Sequence, residues 1–400
     1  VEQVKLWAWW AQRQGLDGSL AGKTGREALN CSGWSRSVGG ASPYIAIFAR
    51  AGRSMAEIDA EVAAAEIHEL PSARSCTHVL PKDDYALGLK VGQGFGDAAE
   101  LAQARKFLGV TDDEVDKLCV AICRSLQKGP LDPKQMKDAV GDAARHLGEE
   151  GKKRGITTTL SLGLSRLQSN GSIRRIPADG RLDRQKYRYA LWAPNPMEGF
   201  RLTSAESFTE LARHYFRWVG PSTAAHFRWF SGLGVGASKA ALEPLGLIPV
   251  EEGSDYLVPP ADLDSFKAFE PPSEPDYSLI ASLDAHLNLR RDILCLLAEE
   301  DKGRSVPTDK KLVPVAGLQN LYSNAILDRG RIVGLWEYDP EAKEIVSVSF
   351  VKRTQGQKSA IEKTEAFIRD QLGDCRSFSL DSAESRKPKL ALLRALRAEE

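Results

Sequence analysis

Apolar residues recur at helical spacing in two long stretches of the chain, and both stretches are stopped in the same way. From Glu114 to Gln127 the positions Val115, Leu118, Val120, Ile122 and Leu126 fall largely on one helical face, and Gly129-Pro130 closes the run. From Ser204 to Val219 the same part is played by Phe208, Leu211, Tyr215 and Trp218, with Gly220-Pro221 at the end. Six residues after each proline stands a large apolar residue, Met136 or Phe227, and eleven after it a glycine, Gly141 or Gly232. Punctuation matched in this way predicts an internal repeat.

Each copy then predicts a third helix, about Thr157 to Gln168 in one and Gly236 to Leu245 in the other. Two short strands follow: Ser172 to Ile176 and Gln185 to Trp192 around the turn Pro177 to Gly180, and Ile248 to Glu251 and Asp255 to Val258 around Gly253-Ser254. Three helices and a β-hairpin make the winged-helix plan, a variant of helix-turn-helix. The start of the chain predicts a looser third copy. It has helices from Glu2 to Gln14, Gly25 to Cys31 and Pro43 to Ala51, an added helix from Ala56 to Ala65, and a hairpin from Ile67 to Leu80.

After residue 258 the pattern changes. Pro259-Pro260 and Pro271-Pro272 bracket an acidic stretch that reads as a stiff linker over 259–275. Beyond it, alternating apolar positions in Leu312 to Val315, Ala325 to Leu327, Ile332 to Tyr338 and Glu344 to Val351 predict an antiparallel sheet, with turns at Asp328 to Gly330 and Asp339 to Ala342. A helix over Ser359 to Leu372 and a basic terminal helix over Arg386 to Arg397 close it. The expected fold class is α+β. Tandem winged-helix modules occupy 1–95, 96–200 and 201–258, and an antiparallel β-domain with closing helices occupies 276–400.

Composition narrows the classes. With 42% apolar and 27% charged residues, 400 residues are ample for a buried core and exclude a disordered chain. Apolar runs such as Ala46 to Ala49 and Leu294 to Ala298 fall far short of the ~18 residues that span a bilayer. No charged leader precedes an apolar run near Val1, so the expected location is cytoplasmic. The six cysteines form no Cys-x-x-Cys pair, so free thiols are expected, with neither metal nor cofactor. Net charge is zero, yet it is sorted by region: Gly151 to Trp192 carries ten Lys or Arg against two Asp, and Glu251 to Asp276 carries eight acids against Lys267.

That basic region is the main candidate for binding. Arg174, Arg175, Arg181, Arg184, Lys186 and Arg188 would lie on one hairpin, behind Lys152, Lys153 and Arg154. The hydroxyls and amides at Thr157 and Thr158, opening a helix, would add donors for phosphate oxygens. Double-stranded DNA is the expected partner; the bland alternative is a solvated hairpin. Glu66, His68 and Glu69 on the first strand of the N-terminal hairpin, with Arg74 and His78 on the second, could supply a general base or be ordinary surface polarity. Gly18 to Thr24 imitates a P-loop but has three residues, not four, between its glycines and follows a helix. Gly232 to Ala237 imitates a dinucleotide fingerprint without its strand. Trp7, Trp9 and Trp10, like Cys119 and Cys123, read as core.

Several segments carry a resemblance. They are Tyr44 to Arg50 with Glu57, Ile58 and Asp59; the hairpin Leu70 to Val79; Ser282 to Asp292; and the strands within Ile326 to Trp336. In order and together they resemble the AlkZ-like winged-helix DNA glycosylases, over nearly the whole chain. The resemblance implies three tandem winged helices and a β-domain around a DNA channel, acting as a monomer on duplex DNA that is alkylated or crosslinked, nucleoid-associated when bound. It also implies a catalytic pair of polar residues flanking one apolar residue. In register that motif falls at Arg36, Ser37 and Val38, so both catalytic positions are changed. Arg36 stays protonated and Val38 has no polar atom. Glu69 and His78 are the alternative bases. Two classes therefore stand: a glycosylase with an altered motif, and a non-catalytic DNA-binding or regulatory protein on the same scaffold.

Overall fold

The chain opens with α1 (Gln3–Arg13), which turns its tryptophans inward. The indole N–H groups of Trp9 and Trp10 donate to the carbonyls of Gly220 and Pro221, each at 2.9 Å, and that of Trp7 donates to Cys295 at 2.7 Å. The aromatic stripe is thus packing whose polar handles are satisfied. The structure, a computed structural model, describes residues 2–398.

Next come α2 (Gly25–Ser32), β1 (Ser35–Arg36), α3 (Ser42–Ala51), α4 (Met55–Ala63), β2 (Ile67–Pro71) and β3 (Thr77–Pro81). Thr24 with Glu27 and Ser54 with Glu57 form capping boxes that start α2 and α4. The strands pair antiparallel in the order β1-β3-β2. Two connecting helices, α5 (Tyr85–Gly92) and α6 (Gly96–Leu108), lead to α7 (Asp112–Leu126), α8 (Pro133–Val140), α9 (Gly148–Lys153), α10 (Leu160–Ser169), β4 (Ile173–Pro177) and β5 (Tyr187–Leu191). The third unit is α11 (Ser204–Val219), α12 (Ala224–Ser231), α13 (Val235–Leu242), β6 (Ile248–Pro249) and β7 (Leu257–Val258).

The matched residues of the repeat do matched jobs. Met136 and Phe227 are fully buried under their units. Gly141 and Gly232 terminate α8 and α12 with φ of +49° and +74°, a conformation that favours glycine. The residue after each Gly-Pro, Leu131 or Ser222, forms a single bridge to the second hairpin strand at Tyr189 or Leu257. β1 pairs with β3 in the same sense. The shared order is therefore helix, short strand, helix, helix, hairpin. In the first unit this runs α2-β1-α3-α4-β2-β3, so α4 belongs to the repeat and α1 is the extra helix, the reverse of the sequence expectation. A two-residue strand has no periodicity to read, which is why the assignment slipped.

Two other expectations are corrected. Thr157 and Thr158 do not open α10: Leu147 N–H donates to the Thr157 carbonyl, Thr158 bridges His146, and the Thr159 hydroxyl accepts the Arg145 N–H. The acidic stretch over 259–275 is not an extended linker throughout. It contains α14 (Pro260–Ala268), with proline in its first turn, and its buried Phe266 meets Trp9 edge-on at 5.3 Å. Proline fits a first helical turn because the amide it lacks would be unpaired there.

The remaining elements are β8 (Tyr277–Ile280), α15 (Ala285–Asn288), β9 (Ser305–Pro307), β10 (Leu312–Pro314), β11 (Asn324–Asp328), β12 (Arg331–Asp339), β13 (Glu344–Ser349), α16 (Gln355–Phe367) and α17 (Ala383–Ala398). A four-stranded antiparallel sheet runs β13-β12-β11-β8, while among the described residues β10 pairs with β9 alone. The expected strand at Leu312 thus lies outside the sheet, and β8 takes the edge instead. Helix α17 is no free basic tail: Arg386 pairs with Asp374 and Lys389 with the buried Glu337, while Leu390 and Leu393 enter the core. Helices and antiparallel sheets together make the chain α+β. No described helix is long and apolar enough to cross a membrane.

Candidate functional site

Strand pairing fixes the stretch from Ser35 to Val38. β1 sets Ser35 opposite Val79 and Arg36 opposite His78, and the Ser37 N–H continues to the Thr77 carbonyl at 3.0 Å. Alternation along an extended segment sends Ser35 and Ser37 to one side and Arg36 to the other. Ser37 is fully buried, and its hydroxyl donates to Glu69 Oε1 at 2.5 Å. Arg36 lines a cavity of about 200 Å³ between the first unit, the third unit and the 283–291 segment, and its Nη1 donates to the Thr77 carbonyl at 3.2 Å.

The residues that follow are gripped from two directions. The Val38 carbonyl accepts the Ser379 N–H at 3.0 Å, and the Ala41 N–H donates to the Arg376 carbonyl at 2.9 Å. A Cβ at Gly40 would sit 2.2 Å from the Ser377 carbonyl oxygen, so this position admits only glycine while the C-terminal segment stays in place. Gly39, at φ +75°, lies against the Gln185 side chain from the loop between β4 and β5. The segment is thereby clamped between the second unit's hairpin and the chain's last hundred residues.

A model of the family described as "DNA glycosylase AlkZ-like" matches residues 36–367. The chain belongs to the AlkZ-like DNA glycosylase family. Among solved structures it is similar to Streptomyces sahachiroi DNA glycosylase AlkZ, with a TM-score of 0.69 and 19% identity, over 94% of this chain and 98% of that one. At that identity the likeness shows a shared fold. No curated protein matches the chain.

In this AlkZ-like chain the alternative bases occupy unpromising settings. Glu69 is buried on β2, with Ser37 on one oxygen and Arg175 Nη2 3.4 Å from the other. Burial first, and then the neighbouring Glu69, raises the Tyr187 phenol pKa. A carboxylate so engaged has little left to offer a water. His78 is buried on β3, its Nδ1 2.8 Å from the Ser72 hydroxyl and 3.2 Å from the Cys76 carbonyl. Burial and the neighbouring Arg36 push its pKa down to about 3, far below what a general base at neutral pH needs. His68 is likewise driven to about 3 by burial, then by Arg174 and Arg175, and lies against Tyr85 and Trp192. Glu66 pairs with Arg26 and Lys82. Arg74 stands in the turn between β2 and β3, not on the second strand as expected.

The expected phosphate contacts divide into distinct environments. Lys186 and Arg188 are exposed on the second unit's hairpin, and Arg184 is exposed with only a loose contact to Asp179 at 3.4 Å. Arg175 lies 4.7 Å from the Tyr187 ring and beside Glu69, and Arg174 is half-buried at 5.9 Å from the Trp192 ring. Burial lowers the Arg174 pKa. Arg181 is committed: its guanidinium grips Asp183 at 2.8 and 2.5 Å and donates to the Leu372 carbonyl. Lys152, Lys153 and Arg154 sit within 4.0 Å of Glu149 or Glu150 around α9, and Thr157 is exposed.

Sequence reading singled out Arg36, Arg74 and His78 of the cavity lining but missed Trp229 and Arg291. Trp229 on α12, Arg74 and Arg291 converge there from three distant segments, and only the folded chain brings them together.

Proposed function

We propose that the three repeated units are winged-helix modules that hold duplex DNA with little regard to sequence, and that hydrolysis of N-glycosidic bonds is weak in this member of the family. Alkylated or crosslinked duplex is the intended partner, bound by one copy of the chain with no cofactor. Lys186, Arg188 and Arg184 are the outward cations of the hairpin that would meet backbone phosphates.

One observation carries the weak-chemistry half of the reading. At the motif the side chain facing the cavity is the permanently charged Arg36, and among the described residues the cavity lining holds no Asp, Glu or Gln. Hydrolysis of an N-alkylated nucleoside needs a group that orients or deprotonates water at the anomeric carbon. Such general-base help is worth typically ~100- to 10,000-fold. A cationic alkylated base still departs partly unaided, so a slow reaction persists. The engagement of Glu69 with Ser37 and Arg175 supports a second reading, in which the scaffold binds DNA without chemistry.

Both readings are tested with one duplex carrying N7-methylguanine, by fluorescence anisotropy for binding and by strand scission at abasic sites for excision. Tight, salt-sensitive binding with excision at least ~100-fold below that of a glutamine-bearing relative supports the proposal. Equal excision would sink it, and no detectable excision over days selects the second reading.

A further inference from the structure

The cavity beside Arg36 has an unusual electrostatic make-up. Three guanidinium groups reach it, from Arg36, Arg74 and Arg291, and among the described residues none of the three has a carboxylate within ion-pair distance. Several buried or half-buried arginines are instead neutralised, Arg13, Arg26, Arg50, Arg181, Arg331 and Arg386 each sitting on an acid. Cations gathered without counter-charge repel one another, so their convergence costs stability unless an anion joins them. The neighbouring His78 is neutral at physiological pH and supplies no charge of either sign.

Geometry shows that these arginines are held in place. Arg74 and Arg291 have φ of +59° and +54°, two of the six non-glycine residues in the left-handed region among the described residues. Side chains rarely adopt that backbone, and where they do the strain gathers at functional sites. Trp229 fixes both guanidiniums, with Arg74 Cζ 4.2 Å and Arg291 Cζ 5.2 Å from its ring. Arg74 spends one donor on the Trp229 carbonyl at 3.1 Å. Two donors at the site are buried without partners, the Arg291 Nε and the Trp229 indole N–H. A buried donor left unpaired is costly, and an acceptor-rich ligand would satisfy both. Asn288, whose Nδ2 already donates to the Ser282 carbonyl at 3.0 Å, and Asn320 line the same space.

We propose that this cavity is a phosphate-binding site that takes one phosphate group of a DNA strand among Arg36, Arg74 and Arg291. A tetrahedral anion with several acceptor oxygens matches planar, multi-donor guanidiniums better than a lone carboxylate does. On this assignment Arg36, at the position where relatives of the family carry a catalytic polar residue, binds backbone instead of water. The DNA source of the phosphate rests on the binding reading above; the anion site itself does not.

The test uses the full chain labelled with 15N at its indoles. Inorganic phosphate, compared with chloride at equal ionic strength, should shift the Trp229 Nε1 resonance, assigned with Trp229→Phe. The double variant Arg74→Gln, Arg291→Gln should lose that response, and Arg291→Lys should recover part of it. For duplex DNA, removing one phosphate contact should flatten the dependence of log affinity on log salt by about 0.9 in the double variant. A Lys186→Ala, Arg188→Ala variant should keep the phosphate response intact. No specific shift in the wild-type chain overturns the proposal, and that measurement stands even if the double variant fails to fold. A phosphate response with an unchanged DNA salt slope overturns the DNA source and leaves a site for free phosphate. Failure of the DNA-binding reading is distinguishable: the wild-type chain then binds no duplex at any salt while the phosphate response persists.

Discussion

Arg50 on α3 and Asp284, just ahead of α15, form a bidentate ion pair with both N–O distances at 2.8 Å and both side chains essentially inaccessible to water. The two residues are 234 positions apart. Arg50 completes its donors on the Gln14 and Ala46 carbonyls, and Asp284 accepts the His286 N–H at the start of α15. Burial alone would raise the Asp284 pKa, but Arg50 outweighs it and holds the carboxyl below its usual range. The pair therefore locks the first repeat unit to the C-terminal domain beside the cavity.

Removing one partner should be severe. Arg50→Ala or Asp284→Ala leaves a buried uncompensated charge, and each should lose about 3–5 kcal/mol of stability in urea titrations. The double replacement Arg50→Met, Asp284→Leu should lose much less. Single variants within about 0.5 kcal/mol of the parent, the range of ordinary surface changes, would contradict the assignment.

Three buried histidines set an acid limit. His68, His78 and His286 have pKa values near 3, each lowered first by burial and then by nearby arginines. An unfolded imidazole protonates near ~6.5, so between these values the unfolded chain binds more protons than the folded one. Stability is therefore complete above about pH 6.5 and falls as pH drops, by up to about 1.4 kcal/mol per pH unit for each histidine. Denaturation midpoints from pH 7 to pH 4 measure this; a flat profile would refute it.

Cations of the second hairpin should separate by function. Lys186→Ala and Arg188→Ala should each flatten the salt dependence of DNA affinity by up to about 0.9 without changing stability. Arg181→Ala should leave the slope alone and lower the melting temperature, because its guanidinium ties Asp183 to the Leu372 carbonyl. The opposite pattern would place the DNA surface elsewhere.

Chemistry should follow the motif and not the buried acid. Glu69→Gln is expected to weaken the contacts with Ser37 and Arg175, reducing stability while leaving slow excision unchanged. Arg36→Gln with Val38→Gln should raise excision of N7-methylguanine by at least about tenfold, within the ~100- to 10,000-fold span of general-base effects. Loss of excision in Glu69→Gln alone, with the fold intact by circular dichroism, would make Glu69 the base after all.

Local pattern determined a good deal of this protein. Helical periodicity and Gly-Pro punctuation located α7, α8, α11 and α12, because helices and their stops are written in neighbouring residues, and alternation with turn residues located β11, β12 and β13. The proposed motif position at Arg36 and Val38 rests on the family resemblance, set in register by Tyr44 to Arg50. Tertiary structure decided what depends on partners remote in the chain. It set β8, not Leu312 to Pro314, at the sheet edge, and made α1 the extra helix because β1 pairs with β3. It also sorted the basic residues into exposed, stacked and ion-paired, a difference that rests on which acid or ring the fold delivers to each. The cavity of Arg36, Arg74, Trp229 and Arg291 has no sequence signature, since its four segments meet only when the first unit, the third unit and the C-terminal domain close on one another.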